Sequence, residues 1–301
     1  MLFLPWEYLL LPERFSKMPE LPEVETIRRQ LDETISGKSI SDVQVLREKS
    51  FSGDPKKLKG WLIDKVGRKS KVIEIFFKNK NEMVICHLKM TGQLIYVDDN
   101  KRVAGGHPSS DWVAELPSNH TRIIWNFTDG SKLFFNDMRV FGWMRLVDID
   151  QYNRETRKQV PDVVDNDFDK EYLKSIVSKA KKSIKLVILD QDKMGGIGNI
   201  YANDALYLAK ILPTRPANSL SDDEIGLLTK SIKDVINKGI KFGGASASDD
   251  KYVNLSGLGG KYQEHFLVYE KQGSQCKVCG EKIIKTRLGG RGTYYCPVCQ
   301  K

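Results

Sequence analysis

The sequence has few cysteines and no long apolar run. Five cysteines in 301 residues are too few for a disulfide framework in a chain of this length. No apolar run reaches the ~18–20 residues needed to cross a bilayer, which argues against an integral membrane protein. At roughly 100–200 residues per domain, the length corresponds to about two domains. We therefore expect a soluble protein with ordinary hydrophobic cores.

Acidic residues are outnumbered by basic ones. The chain has 48 Lys and Arg against 39 Asp and Glu, which gives a net charge of +9. Seven of the basic residues lie in the last 31 positions, where Glu281 is the single acidic residue. This local excess of positive charge indicates a polyanionic partner.

Four of the five cysteines form one motif. Cys276, Cys279, Cys296 and Cys299 have the spacing C-x2-C-x16-C-x2-C, which lets two short turns present four thiolates tetrahedrally to Zn²⁺. Two structural disulfides are the alternative, but there is no convincing secretion signal and Cys86 lies in an apolar strand pattern. Because sulfur takes all four positions, the metal has no open site for substrate. The sequence therefore predicts one structural zinc ion.

The beginning of the chain does not resemble a targeting signal. The segment MLFLPWEYLLLPERFSK has no basic amino-terminal region, and no small-residue cleavage site follows it. Proline and glutamate also interrupt its apolar stretch. We expect residues 1–18 to be a leader that is removed or that reflects an early start assignment.

Hydrophobic spacing predicts a helix followed by strands. Behind a proline and an acidic first turn, apolar residues recur at helical spacing at Val24, Ile27, Leu31 and Ile35. Between about residues 40 and 148, apolar runs over 72–77 and 83–88 predict strands. Asp129 and Gly130 form a hairpin turn between runs at 123–127 and 133–135.

The second half of the sequence is predominantly helical. Residues 150–169 are polar without periodicity and are interpreted as a linker. Helical patterns follow over 172–180, 184–189 and 199–210, and a capping box formed by Ser221 and Glu224 begins another helix. The Gly-, Ser- and Asp-rich stretch 242–260 predicts a long loop before the cysteine motif.

Several motifs follow one another along the chain. Met18 opens the string MPELPEVETIRRQL, and five blocks come after it, namely GRKSK, HLKMTGQL, NHTR, FNDMRVFG and GGIGNIYANDAL. In this order the motifs resemble the formamidopyrimidine-DNA glycosylase family, bacterial enzymes that excise oxidised purines, and the ending CKVCGEKIIKTRLGGRGTYYCPVCQK resembles that family's zinc-finger hairpin. The resemblance covers essentially Pro19 to Lys301.

The resemblance implies an α+β multidomain fold. An antiparallel β-sandwich with an N-terminal helix is expected over 19–148 and a linker over 149–168. A helix–two-turn–helix domain is expected over 169–262, with a lesion-capping loop at 242–260, and a zinc finger over 263–301. Duplex DNA containing oxidised bases or abasic sites would lie in the cleft between the two halves.

The resemblance assigns the chemistry to the start of the family motif. Pro19 supplies the nucleophile, a secondary amine that is free only when everything through Met18 is removed. An α-amino group titrates near about 7.7–8, so a useful fraction is neutral at pH 7. Glu20 is the general acid and base acting on the sugar ring, Glu23 supports the site, and Lys71 contacts a nearby phosphate. Without the resemblance, these prolines and glutamates fit an ordinary helix start.

Excision requires the target base to leave the stack, and the vacated space must be filled. Met90, Arg139 and Phe141 match the family's three void-filling residues. By the resemblance, Arg139 bonds to the orphaned cytosine and Phe141 wedges the base step. This combination separates the family from the related endonuclease VIII-like enzymes, which prefer oxidised pyrimidines. Taken without the resemblance, Phe141 would be assigned to the core.

Phosphate contacts are expected on the helical half. Asn199 follows a glycine-rich segment at a predicted helix start, where free backbone N–H groups suit phosphate. By the resemblance, Asn199 and Arg291 hold the phosphates that flank the lesion, and Lys185 is a weaker candidate. By the resemblance, His120 is a DNA-binding residue at a family position near the backbone of the intercalation loop, although a polar turn residue is an alternative.

Two departures from the family keep alternatives open. The predicted capping loop is longer and more acidic than usual, with Asp249 and Asp250 near the position where the family commonly has arginine. Oxidised pyrimidines are therefore an alternative substrate. A retained leader would block the amine of Pro19 and leave a damaged-DNA-binding protein without catalysis. We expect a monomeric enzyme with no membrane association, which works in the bacterial cytoplasm on nucleoid DNA.

Overall fold

Two β-sheets form the first half of the molecule. The computed structural model describes residues 18–106, 111, 114–156, 160–245 and 260–301, so the leader residues 1–17 and loop residues 246–259 lie outside the described residues. In the first half, the strands of the described chain are β1 (Ile40–Val45), β2 (Phe51–Ser52), β3 (Ile63–Lys69), β4 (Val72–Phe77), β5 (Glu82–His87), β6 (Gly92–Val97), β7 (Arg102–Gly106), β8 (Thr121–Phe127), β9 (Lys132–Asp137) and β10 (Trp143–Asp148).

The strands pair as a sandwich of two five-stranded sheets. One sheet has the order β1-β8-β9-β6-β7 and the other the order β2-β10-β5-β4-β3. Neighbouring strands are antiparallel, except that the short β2 pairs with β10 in parallel. The predicted hairpin at Asp129 and Gly130 joins β8 to β9, and Gly130 has the positive φ (86°) that this turn requires. The antiparallel sandwich is therefore confirmed, with one short parallel pair at its edge.

Alternation along the strands builds the core between the sheets. In β4, Ile73, Ile75 and Phe77 are buried while the intervening residues are partly exposed. Phe77 stacks against Trp125 of β8 in the opposite sheet, with ring centroids 6.4 Å apart. Burial of each such side chain contributes roughly 1.5–3 kcal/mol to folding. The apolar faces of the two sheets thus hold the sandwich together.

The first helix, α1 (Leu21–Ile35), belongs to both halves of the molecule. Its predicted apolar face packs into the core of the sandwich through Val24, Ile27, Leu31 and Ile35. Leu21, in its first turn, instead packs into the core of the helical half. The helix start therefore lies at the junction of the two cores.

Five helices follow the sandwich in the described residues. They are α2 (Ile149–Thr156), α3 (Lys170–Val177), α4 (Ile184–Ile188), α5 (Asn199–Leu208) and α6 (Asp222–Lys241). The predicted capping box begins α6, since the backbone N–H groups of Glu224 and Ser221 donate to the side chains of Ser221 and Glu224 respectively. No helix in the described ranges is long and apolar enough to cross a bilayer.

Helix α2 lies in the stretch that was predicted to be a linker. The polar, aperiodic sequence there gave no helical signal. Its Tyr152 bonds to Glu74 of β4, and the helix packs against β10. A tertiary contact of this kind stabilises a short helix that its own sequence pattern does not predict.

The C-terminal hairpin shares a core with the helices. Strands β11 (Ile284–Leu288) and β12 (Arg291–Tyr295) pair in antiparallel register. Ile283 and Tyr294 are buried in the same apolar cluster as Tyr201 and Leu206 of α5. The hairpin is therefore docked on α5, and this position brings Arg291 towards the start of that helix.

Candidate active site

The start of α1 is buried against α5. Pro19 and Glu20 immediately precede the helix, and both are buried. The backbone N–H of Glu20 donates to Oε2 of Glu23 (2.9 Å). The other carboxylate oxygen of Glu23 accepts from the hydroxyl of Tyr201 (2.8 Å) and the backbone N–H of Ala245 (2.7 Å). These contacts agree with the supporting role that the resemblance gives to Glu23.

Glu20 occupies space that a side chain at residue 198 would otherwise take. Its Oε1 accepts a hydrogen bond from the backbone N–H of Ile200 (2.9 Å), in the first turn of α5. A Cβ atom on Gly198 would lie 2.2 Å from the Glu20 carboxyl carbon, so only glycine permits this approach. Oε2 is buried and has no hydrogen-bond partner among the described residues. This oxygen therefore has an unused capacity to accept a hydrogen bond.

Burial makes Glu20 a proton carrier near neutral pH. Burial raises the pKa of Glu20 from 4.5 to about 7, although the positive charge of Lys71 opposes the change. A carboxyl group with such a pKa can both donate and accept a proton at physiological pH. This property matches the general acid and base role assigned to Glu20.

Lys71 lies beside the same carboxyl group. It is 8% exposed, and its ammonium donates to the backbone carbonyl of Ile197 (3.0 Å) just before α5. Burial lowers the pKa of Lys71, and the charge of Glu20 acts in the opposite direction. The preceding Ser70 has a positive φ of 53°, which turns the chain so that Lys71 points inward. The structure therefore brings Lys71 and Glu20 together at one site.

An ion-pair network holds this turn, and sequence reasoning did not identify it. Arg68 donates to Asp162 (2.6 Å), to Glu25 (3.0 Å) and to the carbonyl of Ser70 (2.8 Å). The backbone N–H of Ser70 also donates to Asp162 (3.0 Å). Arg68 belongs to the GRKSK block, so the motif could have indicated its importance. Asp162 is one polar residue in an aperiodic stretch, and no sequence pattern indicates it. The network fixes the chain immediately before Lys71.

The three predicted void-filling residues cluster at the end of the sandwich. A guanidinium nitrogen of Arg139 lies 3.5 Å from the sulfur of Met90. The guanidinium also lies over the ring of Phe141, 4.8 Å from its centroid. Phe141 is 51% exposed, so the assignment of this residue to the core is wrong. An exposed Phe and Arg side by side suit insertion into a base stack.

Asp137 holds the turn that presents Arg139. Its buried carboxylate accepts hydrogen bonds from the hydroxyl of Thr91 and from the backbone N–H groups of Arg139 (3.2 Å) and Gly142 (2.6 Å). Val140, at the tip, has a positive φ of 56°. The carboxylate thus replaces the backbone partners that this tight turn lacks, and it also ties the turn to the segment that carries Met90.

His120 lies next to this turn. Its Nδ1 is 2.9 Å from a carboxylate oxygen of Asp111, which also accepts from the amide of Asn136 (3.3 Å). The carbonyl of His120 accepts from the backbone N–H of Asp137 (2.9 Å). His120 is therefore a partly exposed residue with an oriented ring, on the side of the sandwich that carries Arg139.

The predicted phosphate contacts meet at the hairpin. Asn199 is the first residue of α5, and its amide donates to the carbonyl of Gly292 (3.2 Å), beside the exposed Arg291. Lys185 is placed differently from the other predicted DNA contacts. It is fully buried, and its ammonium donates to the carbonyl of Gly292 and the hydroxyl of Thr293 (2.8 Å each). In this structure Lys185 therefore stabilises the hairpin through these two buried contacts.

The four cysteines of the motif converge at the base of the hairpin. Their sulfur atoms all lie within 4.8 Å of one another, with Cys279 and Cys296 separated by 3.4 Å and Cys276 and Cys299 by 3.8 Å. A tetrahedral zinc with bonds of about 2.3 Å places its sulfur ligands about 3.8 Å apart, so the arrangement fits that ion. Four thiolates complete the coordination, and the metal would stabilise the hairpin without touching substrate.

Comparisons with family models match three successive parts of the chain. The model of the formamidopyrimidine-DNA glycosylase N-terminal domain matches residues 18–144. The model of the family's H2TH domain matches residues 160–251. A model of the zinc finger found in these glycosylases and in isoleucyl-tRNA synthetase matches residues 273–301.

Relatives and solved structures match nearly the whole chain. The formamidopyrimidine-DNA glycosylases of Pelotomaculum thermopropionicum and Listeria monocytogenes are 38% and 36% identical, over 94% of this chain and 99% and 100% of theirs. A Lactococcus lactis protein of this name, solved with abasic-site DNA, superposes with a TM-score of 0.82 at 32% identity, over 94% of this chain and 99% of that one. The same protein bound to DNA that contains an oxidised pyrimidine superposes with a TM-score of 0.81, over 94% of this chain and 100% of that one.

Proposed function

Since the chain belongs to the formamidopyrimidine-DNA glycosylase family, we propose that it excises oxidised purines from duplex DNA and cleaves the strand at the abasic site. The observation that carries this proposal is the buried cluster at the start of α1. Pro19 adjoins Glu20, whose carboxyl has one oxygen without a partner among the described residues and a pKa of about 7. Lys71 lies beside it.

The first step is attack by the amine of Pro19 on C1′ of the damaged nucleotide. The nitrogen lone pair forms the new C–N bond, and the glycosidic bond breaks with its electron pair leaving on the base. The proton of the attacking secondary amine passes to the departing base, which leaves the nitrogen a lone pair to form an iminium when the sugar ring opens. This step needs a chain that begins at Pro19, since an amide nitrogen has no available lone pair. The protonated Glu20 donates its proton to the ring oxygen as the sugar opens, and its raised pKa keeps that proton available.

Strand cleavage follows from the iminium that this attack creates. The positive nitrogen acidifies the C2′ proton, and loss of that proton expels the 3′ phosphate by β-elimination. A second, δ-elimination expels the 5′ phosphate, and hydrolysis returns the free amine. The ammonium of Lys71 and the guanidinium of Arg291 supply positive charge where the phosphates leave.

Duplex DNA binds between the sandwich and the helical half. Phe141, Arg139 and Met90 fill the space left by the extruded nucleotide. The exposed Arg139 and Phe141 in one turn, with the half-buried Met90 of the neighbouring segment beside them, support this role. On the helical side, Asn199 and Arg291 hold the flanking phosphates. On the sandwich side, near Arg139, His120 contacts the DNA backbone. Because the substrate is chromosomal DNA, we infer that the protein works at the nucleoid in the bacterial cytoplasm.

Oxidised pyrimidines are a second candidate substrate. The solved relative from Lactococcus lactis binds DNA that contains an oxidised pyrimidine. Excision rates on matched duplexes that differ only in the lesion would rank the two classes. We expect the formamidopyrimidine or 8-oxoguanine duplex to be cleaved faster.

Borohydride trapping tests the proposed nucleophile. A chain beginning at Pro19 should give a covalent adduct with abasic-site DNA, because borohydride reduces the iminium to a stable amine. The 301-residue chain, in which Met18 is still linked to Pro19, is the matched control and should bind the same DNA without trapping. Intact mass of the protein made in its native host shows which form exists in the cell.

Two results would contradict this assignment. If the chain beginning at Pro19 binds abasic-site DNA but gives no adduct, Pro19 is not the nucleophile. If the 301-residue chain with a verified intact mass traps equally well, another amine reacts instead, and Lys71→Met in that chain tests whether it is the amine of Lys71.

A further inference from the structure

One face of α5 runs from the active site to the zinc-binding cysteines. Asn199, Asn203 and Tyr207 are spaced four residues apart, so they lie on the same side of the helix. Each contacts the C-terminal hairpin or its cysteines. Asn199 donates to the carbonyl of Gly292 (3.2 Å), and Asn203 accepts from the backbone N–H of Tyr294 (2.9 Å).

The third of these residues contacts a cysteine of the metal site. The hydroxyl oxygen of Tyr207 lies 3.1 Å from Sγ of Cys276, within hydrogen-bonding distance for sulfur. Both residues are buried, with 8% of Tyr207 and 4% of Cys276 exposed. A zinc-bound cysteine is a thiolate and has no proton to give, so the phenol must be the donor.

We propose that Tyr207 is a positioning residue, which donates a hydrogen bond to the metal-bound thiolate of Cys276 and thereby fixes the zinc finger on α5. Backbone N–H groups of Val278 and Cys279 also approach this sulfur, but they belong to the finger itself. Tyr207 reaches it from the neighbouring helix. The bond therefore couples the metal to the helix that begins with Asn199.

A hydrogen bond that a metal ligand receives from a residue outside the coordination sphere has two consequences. A donor withdraws electron density from a thiolate, which orients the ligand and makes it less reactive towards protons and competing chelators. The same withdrawal raises the energy needed to move an electron from sulfur to a bound metal. Loss of the hydroxyl should therefore weaken metal retention and change the spectrum of a coloured metal in the site.

Tyr207→Phe tests the proposal, because it removes one oxygen and keeps the ring. Loss of outer-shell partners typically lowers metal affinity about 10–100-fold, so zinc transfer to a colorimetric chelator should become at least about 10-fold more favourable. With Co²⁺ in place of zinc, the sulfur-to-metal charge-transfer band should move to longer wavelength. The matched control is Tyr172→Phe, whose hydroxyl donates to the carbonyl of Lys193 (2.8 Å) in the same half of the protein.

The control separates the hydrogen bond from general packing. Tyr172→Phe should retain both the zinc affinity and the cobalt spectrum of the unmodified chain. If both variants lose zinc equally, the effect is one of helix packing and the proposal fails. An unchanged cobalt band in Tyr207→Phe also overturns it, whatever the zinc affinity, because the band reports directly on the electron density of the ligating sulfur atoms.

Discussion

Replacing Glu20 by Gln should abolish base excision and at the same time stabilise the fold. Glutamine keeps the shape of the side chain, and its carbonyl can accept the hydrogen bond from the backbone N–H of Ile200. It removes the titratable proton that the proposed mechanism needs. It also removes a carboxylate that burial has made unfavourable, since Glu20 is 4% exposed.

The size of the stabilisation depends on pH. In the unfolded chain Glu20 ionises near its ordinary pKa of 4.5, whereas burial in the folded protein raises this pKa to about 7. The folded state therefore becomes less stable relative to the unfolded chain as pH rises from about 4.5 to about 7. Above pH 7 this loss of folding free energy, the penalty for the buried charge, stays constant. At about 1.4 kcal/mol per pKa unit, the penalty is about 1 kcal/mol at pH 5.5 and about 3 kcal/mol at pH 8.

Urea unfolding measures this effect on the free energy of unfolding. The 301-residue chain is used because its Pro19 nitrogen is an amide, which places no charge beside Glu20. The advantage of Glu20→Gln over the unmodified chain should widen by about 2 kcal/mol between pH 5.5 and pH 8. Both proteins carry the same zinc site, so the pH response of that site cancels in the difference.

Glu25→Gln is the matched control, because the pKa of Glu25 is shifted in the direction opposite to that of Glu20. Although burial opposes it, hydrogen bonds from Arg28, Arg29 and Arg68 lower the pKa of Glu25 to about 2. Its stabilising contribution is complete above about pH 4.5 and is lost only as pH falls towards 2. Glu25→Gln should therefore destabilise the protein by a similar amount at pH 5.5 and pH 8. If Glu20→Gln shows the same flat profile, or destabilises the chain at pH 8, the reasoning about buried charge is refuted.

Four further substitutions test separate parts of the site. Gly198→Ala should displace Glu20 and lower the single-turnover excision rate about 100-fold, and a rate within about twofold of the unmodified enzyme would contradict the close approach. Arg139→Ala should lose the preference for cytosine over adenine opposite the lesion by roughly 1–3 kcal/mol, measured as excision opposite all four bases. Arg291→Ala should make the log–log salt slope of DNA binding shallower by about 0.9, whereas Asn199→Ala should leave the slope unchanged. If both variants have the same slope, the phosphate contact assigned to Arg291 is contradicted.

Local patterns predicted the elements whose stability is local. The apolar spacing of α1, the Asp129 turn between β8 and β9, and the Ser221 capping box all appear as predicted. Helix α2 and the parallel pairing of β2 with β10 were not predicted. Both depend on neighbours distant in sequence, and hydrophobic periodicity carries no information about such neighbours.

The motifs identified the chemical groups of the site but not their surroundings. The family resemblance indicated Glu20 and Lys71, while the cause of the raised pKa of Glu20, its burial against α5, requires the fold. The pair of Arg68 and Asp162 joins residues 94 positions apart, and no sequence spacing could relate them. Lys185 shows the same limit, because its burial behind the hairpin follows from tertiary packing alone.

The dual packing of α1 has a consequence for synthesis on the ribosome. Leu21 emerges early, yet the apolar residues around it come from the helical half of the chain, synthesised much later. The N–H group that holds Glu20 belongs to Ile200, so the carboxyl group stays solvated until α5 has been made. A nascent or prematurely terminated chain that ends before α5 therefore carries the proposed nucleophile, Pro19, without the burial that makes Glu20 the proposed acid. Incomplete translation products of this protein should leave the chromosome uncut.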